Sequence, residues 1–416
     1  MVCTDPVKAE MLLKYHLEKD DFVKAFRIIT GNGSLFAPVS AWKPRRKVML
    51  SALHPKYVAN FFNIFLNRSQ KLVGEIAPAV ENKTPFEMWR YLNSYNFEVT
   101  LEIGMGEKEL SPEDKEIVLT SMTLMKDYVT RRIFQFWQTP DILFRFHPNY
   151  KKIKSLKIIV FSILDKIITK KRSEVLGVTQ DKLLQNKLSI FDLFVAFSRR
   201  DVEYTETEMR EELVTLVSAA TDTCTNVLEF VLILLAKYPV VQEKVYEELR
   251  AEFQGHNMLP RTRQDLTKLK YLERVINETL RLYPPAPFVI RRTKTRTTFP
   301  NGVIIPDDAS ILISLWGLHR NKHHWGPDAD CFDPDRFLPD RYSRVPPGCF
   351  IPFLSGSRNC PGFSFAMMSV KTVLSVLLKT YRIIPNPEAG PIPDIRLKYD
   401  ITVGAVDGKV AFEKRS

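Results

Sequence analysis

The chain has 416 residues, 45% of them hydrophobic, with 27 prolines against 16 glycines, which supports one large core or two ordinary ones with many stiff turns. A formal charge of +12 admits acidic membranes, acidic proteins or nucleic acid as partners, but no nucleic-acid module accompanies it. The five cysteines (Cys3, Cys224, Cys331, Cys349 and Cys360) form no C-x-x-C and meet no paired histidines, which argues against a structural zinc site and fits a reducing compartment.

Helical periodicity dominates from the start. A short extended start leads into a helix over Val7–Leu17. Helices are predicted within Trp42–Gln70, over Met88–Val99 and over Glu113–Phe136. Leu156–Arg172 repeats Ile and Leu at helical spacing, and Ser173–Gln185 reads as a polar loop. Thr205–Tyr238 is the longest helical pattern, and Pro239 opens the next helix. Leu266–Leu282 forms another helix, stopped by Pro284 and Pro285. Phe288–Leu315 turns strand-like, with a turn at Pro300-Asn301-Gly302. A proline-rich meander follows, and Ile395–Glu413 reads as a hairpin around Asp407-Gly408. No run of about 18 apolar residues suggests a bilayer span, and no cleavable signal follows Met1.

The densest information lies in Phe353-Leu354-Ser355-Gly356-Ser357-Arg358-Asn359-Cys360-Pro361-Gly362. A cysteine just ahead of an apolar helix feels the positive helix end, which favours its thiolate. Gly356 permits a tight turn, and Gly362 lets a flat ligand approach the backbone. Arg358 suits a carboxylate, and Phe353 can shield the sulfur from water. Glu278 and Arg281 share one face of a helix, with Arg336 as a third partner. Asp222-Thr223 place an acid and an alcohol midway along the longest helix. Trp42 and Arg46 lie four apart, and Arg291 opens the strand-like region with Arg292 beside it.

The loop resembles the cysteine-ligand loop of the cytochrome P-450 monooxygenases, F-x-x-G-x-R-x-C-x-G, at every fixed position. Glu278, Arg281 and Arg336 resemble the family's E-x-x-R pair and its meander arginine. Ala219–Thr223 resembles the oxygen-activation segment, and Trp42/Arg46 the W-x-x-x-R. The resemblance spans essentially the whole chain. It implies a mostly α fold with small β-sheets (α+β), a single domain over 1–416, and haem b (heme, iron protoporphyrin IX) with Cys360 as axial metal ligand. It assigns cofactor binding to Trp42, Arg46, Arg291, Phe353, Arg358, Cys360 and Gly362, catalysis to Asp222 and Thr223, and a structural clamp to Glu278, Arg281 and Arg336. In the family the acid and alcohol sit at a local helix distortion.

Several segments resemble the family-four branch: Trp42–Lys47, Leu188–Leu193, and Glu211-Glu212-Leu213 leading to Asp222-Thr223. Some members of that branch attach the haem through a glutamate where this chain has Ala219, so the haem is expected to be non-covalent. Implied partners are an NADPH-cytochrome P-450 reductase, cytochrome b5 as a second electron donor, and a lipophilic substrate (fatty-acid-like, hormone or foreign compound). Apolar residues around Leu124–Phe146 and Leu213–Ala219 are expected to shape its pocket. Lys43, Arg45 and Lys47 are expected to form a basic docking patch for the acidic reductase. Microsomal relatives carry an anchor and a first strand and helix ahead of the point where this sequence starts. The chain therefore reads as N-terminally shortened, with a complete version on the cytosolic face of the endoplasmic reticulum membrane and peripheral membrane contact retained. Ala220, where the family has glycine, and Pro361, which lacks an N–H for the sulfur, keep a non-catalytic haem- or lipophile-binding paralogue as the alternative. A reductase-independent haem-thiolate isomerase is a further alternative, disfavoured by Asp222 and Thr223.

Overall fold

The computed structural model describes residues 1–415 apart from 83, 108–109, 176, 180–188, 202–203, 254–257, 300–301, 387–394 and 407. Its longer helices are α1 (Pro6–Tyr15), α2 (Val39–Ala52), α3 (Phe62–Glu81), α4 (Met88–Met105), α5 (Pro112–Phe134), α6 (Pro148–Val175), α7 (Ile190–Asp201), α8 (Glu206–Lys237), α9 (Pro239–Glu252), α10 (Lys270–Leu282) and α11 (Phe363–Thr380). Small sheets sit around them. One has the order β1 (Val2–Cys3), β6 (Ser310–Ser314), β3 (Phe288–Arg292); another has β2 (Phe86–Glu87), β10 (Lys409–Lys414), β7 (Tyr381–Pro385). Two further pairs join β4 (Thr297–Thr298) to β5 (Ile304–Ile305) and β8 (Leu397–Asp400) to β9 (Thr402–Ala405). The mostly helical fold expected from periodicity is the one observed.

Helix α8 organises the core. Thr205 and Glu208 form a reciprocal capping box at its start, which satisfies two otherwise unpaired N–H groups and stabilises by about 1 kcal/mol. Pro239, which cannot continue the helix, begins α9. Between them, Val227, Leu228, Phe230, Val231, Leu232, Leu234 and Leu235 are buried against α4, α10, α11 and β7. Each such burial stabilises by about 1.5–3 kcal/mol. By composition α8 and α11 could each cross a bilayer, a property the residue-by-residue reading missed because polar residues interrupt both runs. Most of each helix is instead covered by the rest of the chain.

This apolar stretch encloses one carboxyl. Glu229 is 3% exposed and accepts from the Ala405 N–H at 3.2 Å. Burial pushes its pKa from an ordinary 4.5 up to about 7. The folded chain therefore binds more protons than the unfolded chain between those values. The stability this proton confers is complete below pH 4.5 and is lost as pH rises through 7, about 3 kcal/mol in all. Glu229→Gln keeps an acceptor and removes the charge. Urea unfolding is expected to show little change at pH 4.5 and a gain approaching 3 kcal/mol at pH 8; equal destabilisation at both values would refute this account.

The C-terminal hairpin is not where the Asp407-Gly408 signal placed it. The tight turn falls at Ile401, whose φ is 73°, and joins β8 to β9. Strand β10 pairs instead with β7 and β2. The reason is tertiary: β9 is bonded to α8 through Thr402 and Ala405, while Phe412 on β10 packs against Tyr381 and Phe86. Asp407, Pro300 and Asn301 lie outside the described residues, as does most of the predicted 173–185 loop; the start of that segment is helical, because α6 runs on to Val175.

The link between α5 and α6 turns apolar side chains outward. Phe134, Trp137, Ile142, Leu143 and Phe146 are each more than half exposed, so this part of the expected pocket segment faces solvent instead. Buried Arg132 holds the loop in that form. It donates to the carbonyls of Gln138 (3.1 Å) and Thr139 (3.0 Å), pairs with Asp141, and lies 4.2 Å over the Phe144 ring.

Candidate functional site

Cys360 lies two residues before the Gly362 N-cap of α11. The loop turns back on itself through positive φ at Leu354 and Gly356. At Gly356 a Cβ would stand 2.8 Å from the Leu13 carbonyl oxygen, so glycine is required for space as well as conformation. The Cys360 N–H donates to the Phe353 carbonyl at 2.8 Å, and the Phe353 ring meets Phe363 edge-on at 4.9 Å. A Cβ on Gly362 would meet only Cys360 Sγ, at 3.8 Å. Nothing in the chain itself demands glycine there, whereas a flat group against the sulfur would. The Gly362 N–H at the helix start favours the thiolate, as the sequence suggests, but burial works against it. Burial pushes the Cys360 thiol up, and the Gly362 N–H and Arg46 oppose that only in part. A metal ion would supply the missing stabilisation.

Beside this sulfur the chain gathers more cations than acids, with Glu18 acting on Arg358. Arg358 donates to the carbonyls of Leu17 (3.0 Å) and Ala37 (2.6 Å), and its guanidinium stacks 4.6 Å over the Trp42 ring. Arg46 donates to Asn359 Oδ1 at 2.5 Å. Arg291 is 1% exposed. The Nε of all three arginines is buried with no partner among the described residues. Burial lowers Arg291 to about 10 and, with the Arg291 charge second, Arg358 to about 9. Buried unpaired donors of this kind are costly unless an anion completes them. A planar macrocycle with a central metal and carboxylates at its edge fits both the orphaned donors and the room beside Gly362.

The ambiguity between Arg291 and Arg292 disappears. Arg292 turns outward to Asp308 at 2.5 and 2.7 Å. The expected basic patch loses a member, because Arg45 is buried. It pairs with Glu208 at 2.7 Å and Glu212 at 3.4 Å, on the first turns of α8. Only Lys43 and Lys47 of that trio are exposed. Pro44 does not break α2, which runs on through it.

Glu278 and Arg281 are fully buried and form a bidentate pair at 2.6 and 2.7 Å. Arg281 also donates to the carbonyls of His319, Ala329 and Cys331. Arg336 reaches Glu278 at 3.5 Å and Asp328 at 2.9 Å, and the Asp333 N–H donates to Glu278 at 2.9 Å. All three residues expected from the sequence meet, and the network ties α10 to the meander that precedes the cysteine loop.

On α8, Ser218, Ala219, Ala220, Asp222 and Thr223 are half-buried within a helix otherwise largely buried on either side. The adjacent Cys224 thiol is pushed up to about 12, mainly by burial and then by the nearby Cys360 sulfur. The expected distortion is absent: α8 is continuous, and Thr223 Oγ1 donates to the Ala219 carbonyl at 2.7 Å. Ala220, a strong helix former in place of glycine, accounts for this. Asp222 points away from Thr223. Its carboxylate meets Lys126 of α5 at 2.5 Å and the Thr402 hydroxyl of β9. Asn226 donates to Thr402 at 2.9 Å and accepts from the Trp89 indole at 3.0 Å. Sequence reasoning missed Lys126, Thr402 and Asn226; only Asn226, one turn after Asp222 on the same helix face, carried a local signal.

The cytochrome P450 family model matches residues 7–412. The chain belongs to the cytochrome P450 family, a monooxygenase family. Among relatives of this P450 is cytochrome P450 4c21 of Blattella germanica, 30% identical over 88% of this chain and 74% of its own. Probable cytochrome P450 313a3 of Drosophila melanogaster is 31% identical over 87% and 73%. Cytochrome P450 4d8 of Drosophila melanogaster is 28% identical over 89% and 82%. The fold also matches the crystal structure of a cytochrome P450 (CYP102L1), with a TM-score of 0.83, 20% identity, and coverage of 100% of this P450 and 89% of that chain.

Proposed function

We propose that this P450 binds haem b non-covalently through the Cys360 thiolate and hydroxylates a lipophilic substrate (fatty-acid-like, hormone or foreign compound) with electrons from NADPH through a reductase. The observation that carries this is the set of three buried arginines with orphaned Nε atoms beside the Cys360 sulfur. When bound, the haem iron supplies dioxygen binding and reduction. Arg46, Arg291 and Arg358 neutralise its carboxylates, with the Trp42 ring as the platform under Arg358. Phe353, held edge-on against Phe363, shields the sulfur from water. Asp222 sits at the rim of the site, where Lys126 and Thr402 hold its charge. On this reading Asp222 turns back from Lys126 and Thr402 to pass protons inward, and the Thr223 hydroxyl one residue on receives them once it leaves the Ala219 carbonyl.

The test is a carbon monoxide difference spectrum of the reduced protein, followed by NADPH consumption with a reductase. A thiolate-type band, haem extractable by acidified organic solvent, and turnover that falls with added salt are expected. The salt dependence reads the docking role of Lys43 and Lys47, with cytochrome b5 tested as a second donor. An imidazole-type spectrum would sink the cysteine assignment.

The same reading places the protein at the cytosolic face of the endoplasmic reticulum. Trp137, Ile142, Leu143 and Phe146 form an exposed apolar rim beside Arg131, Arg145, Lys151, Lys152 and Lys154. Sedimentation with anionic lipid vesicles is expected to drop at least about fivefold in a Leu143→Ser, Phe146→Ser variant. Unchanged sedimentation would remove this rim from the membrane contact.

A further inference from the structure

His319 lies in the short helix Leu315–Arg320 that follows β6, and it is fully buried. Its ring reaches 32 positions along the chain to the cysteine loop: the Ile351 N–H donates to His319 Nε2 at 3.0 Å. The Phe350 ring packs against the imidazole with centroids 5.3 Å apart. The backbone of the same histidine is held from the opposite direction, because its carbonyl accepts from the Arg281 guanidinium at 2.8 Å. One residue thus joins the Glu278–Arg281 clamp to the start of the loop that carries Cys360.

From Ile351 the connection runs on through the loop backbone. The Ile351 carbonyl accepts from the Leu354 N–H at 2.9 Å, where the chain enters its positive-φ turn. Phe353, inside that turn, accepts from the Cys360 N–H. Arg358 ties the far part of the loop to Leu17 and Ala37. The covalent route from the clamp, which Arg281 leaves at the Cys331 carbonyl, is a meander of turns and short helices. His319 crosses that distance directly.

The contact works only while the ring is neutral. A protonated imidazole has two donors and no acceptor, and would meet the Ile351 N–H donor to donor. Burial, then the Arg281 charge, pushes the ring down to about 3, so Nε2 keeps its lone pair. With Nε2 accepting, the ring proton sits on Nδ1. There it makes no full hydrogen bond among the described residues, which leaves the bond to Ile351 as the ring's working polar contact.

We propose, resting on the haem-thiolate reading above, that His319 is a positioning residue for the Cys360 sulfur. It holds Ile351 at a fixed place relative to the clamp, and the loop backbone carries that placement to the thiolate. Its influence passes through the loop and not through contact with the sulfur.

Two variants test this. His319→Leu removes the acceptor, and His319→Gln restores one on a side chain of similar reach. Hydrogen exchange of the full chain is followed at the Ile351 amide and across 353–360, beside that of α10. An unsatisfied buried N–H predicts about tenfold faster loop exchange in His319→Leu, with α10 within about twofold of wild type. In the haem-loaded variant the thiolate-type carbon monoxide band should convert to the thiol type about tenfold faster in dilute urea. His319→Gln should stay within about threefold of wild type on both readouts. Unchanged loop exchange in His319→Leu overturns the proposal. So does equal acceleration in α10, which marks a general loss of packing, or faster exchange with a band that persists as in wild type. Should His319→Leu yield no folded protein, wild type decides: an Ile351 amide protected like those of α10 supports the anchor, and one that exchanges freely overturns it. Exchange needs no haem, so a wild-type chain that takes up none counts against the cofactor assignment, distinguishably from a failure of His319.

Discussion

Cys360→Ala is expected to abolish reductase-supported turnover and the thiolate-type carbon monoxide band together, while the fold persists. Among the described residues Cys360 supplies the thiol at the arginine cluster; Cys224 is buried and held protonated by its surroundings. The substitution keeps the bond from the Cys360 backbone N–H to the Phe353 carbonyl and gives up only the Gly362 N–H contact to the sulfur. Far-ultraviolet circular dichroism should therefore match wild type. Haem uptake should fall at least about tenfold, the loss of one metal–ligand bond being partly offset by the retained arginine contacts. Full turnover by the alanine variant would place the metal elsewhere.

The second large effect falls on stability. Glu278→Ala leaves Arg281 fully buried without its bidentate partner and removes the acceptor shared by Arg336 and the Asp333 N–H. Breaking a buried pair from one side destabilises by about 3–5 kcal/mol, because the remaining charge stays dry. A large share of a typical domain's net stability is lost, so soluble yield and urea midpoint should both collapse. Glu278→Gln, which retains one acceptor, should fall between. A loss under about 1 kcal/mol in the alanine variant would show that water reaches the clamp.

What was legible in the sequence was local. The cysteine loop works through residues within ten positions of one another, so spacing alone exposed it. Glu278 and Arg281 share a helix face, and Arg336 could be added because a buried pair needs a third partner. What escaped was whatever depends on distant segments meeting. Thr402 reaches Asp222 across 180 positions and Lys126 across 96. Nothing in the string Tyr399-Asp400-Ile401-Thr402 announces such a bond. The Asp407-Gly408 signal misled for the same reason: a favourable local turn lost to strand pairing and to the bonds β9 makes with α8. The distortion of α8 was expected by resemblance, and a single methyl group at Ala220 was the local clue against it.

Arg45 and Arg46 are sequence neighbours on α2, yet one grips the first turns of α8 and the other the cysteine loop. The helix is therefore riveted on two sides by adjacent side chains. A charge-reversal panel that treated position 45 as part of the outer rim would pry the long helix from its neighbour. The resulting slump in activity would mimic failed recruitment of an electron donor while reporting only on a sprung joint.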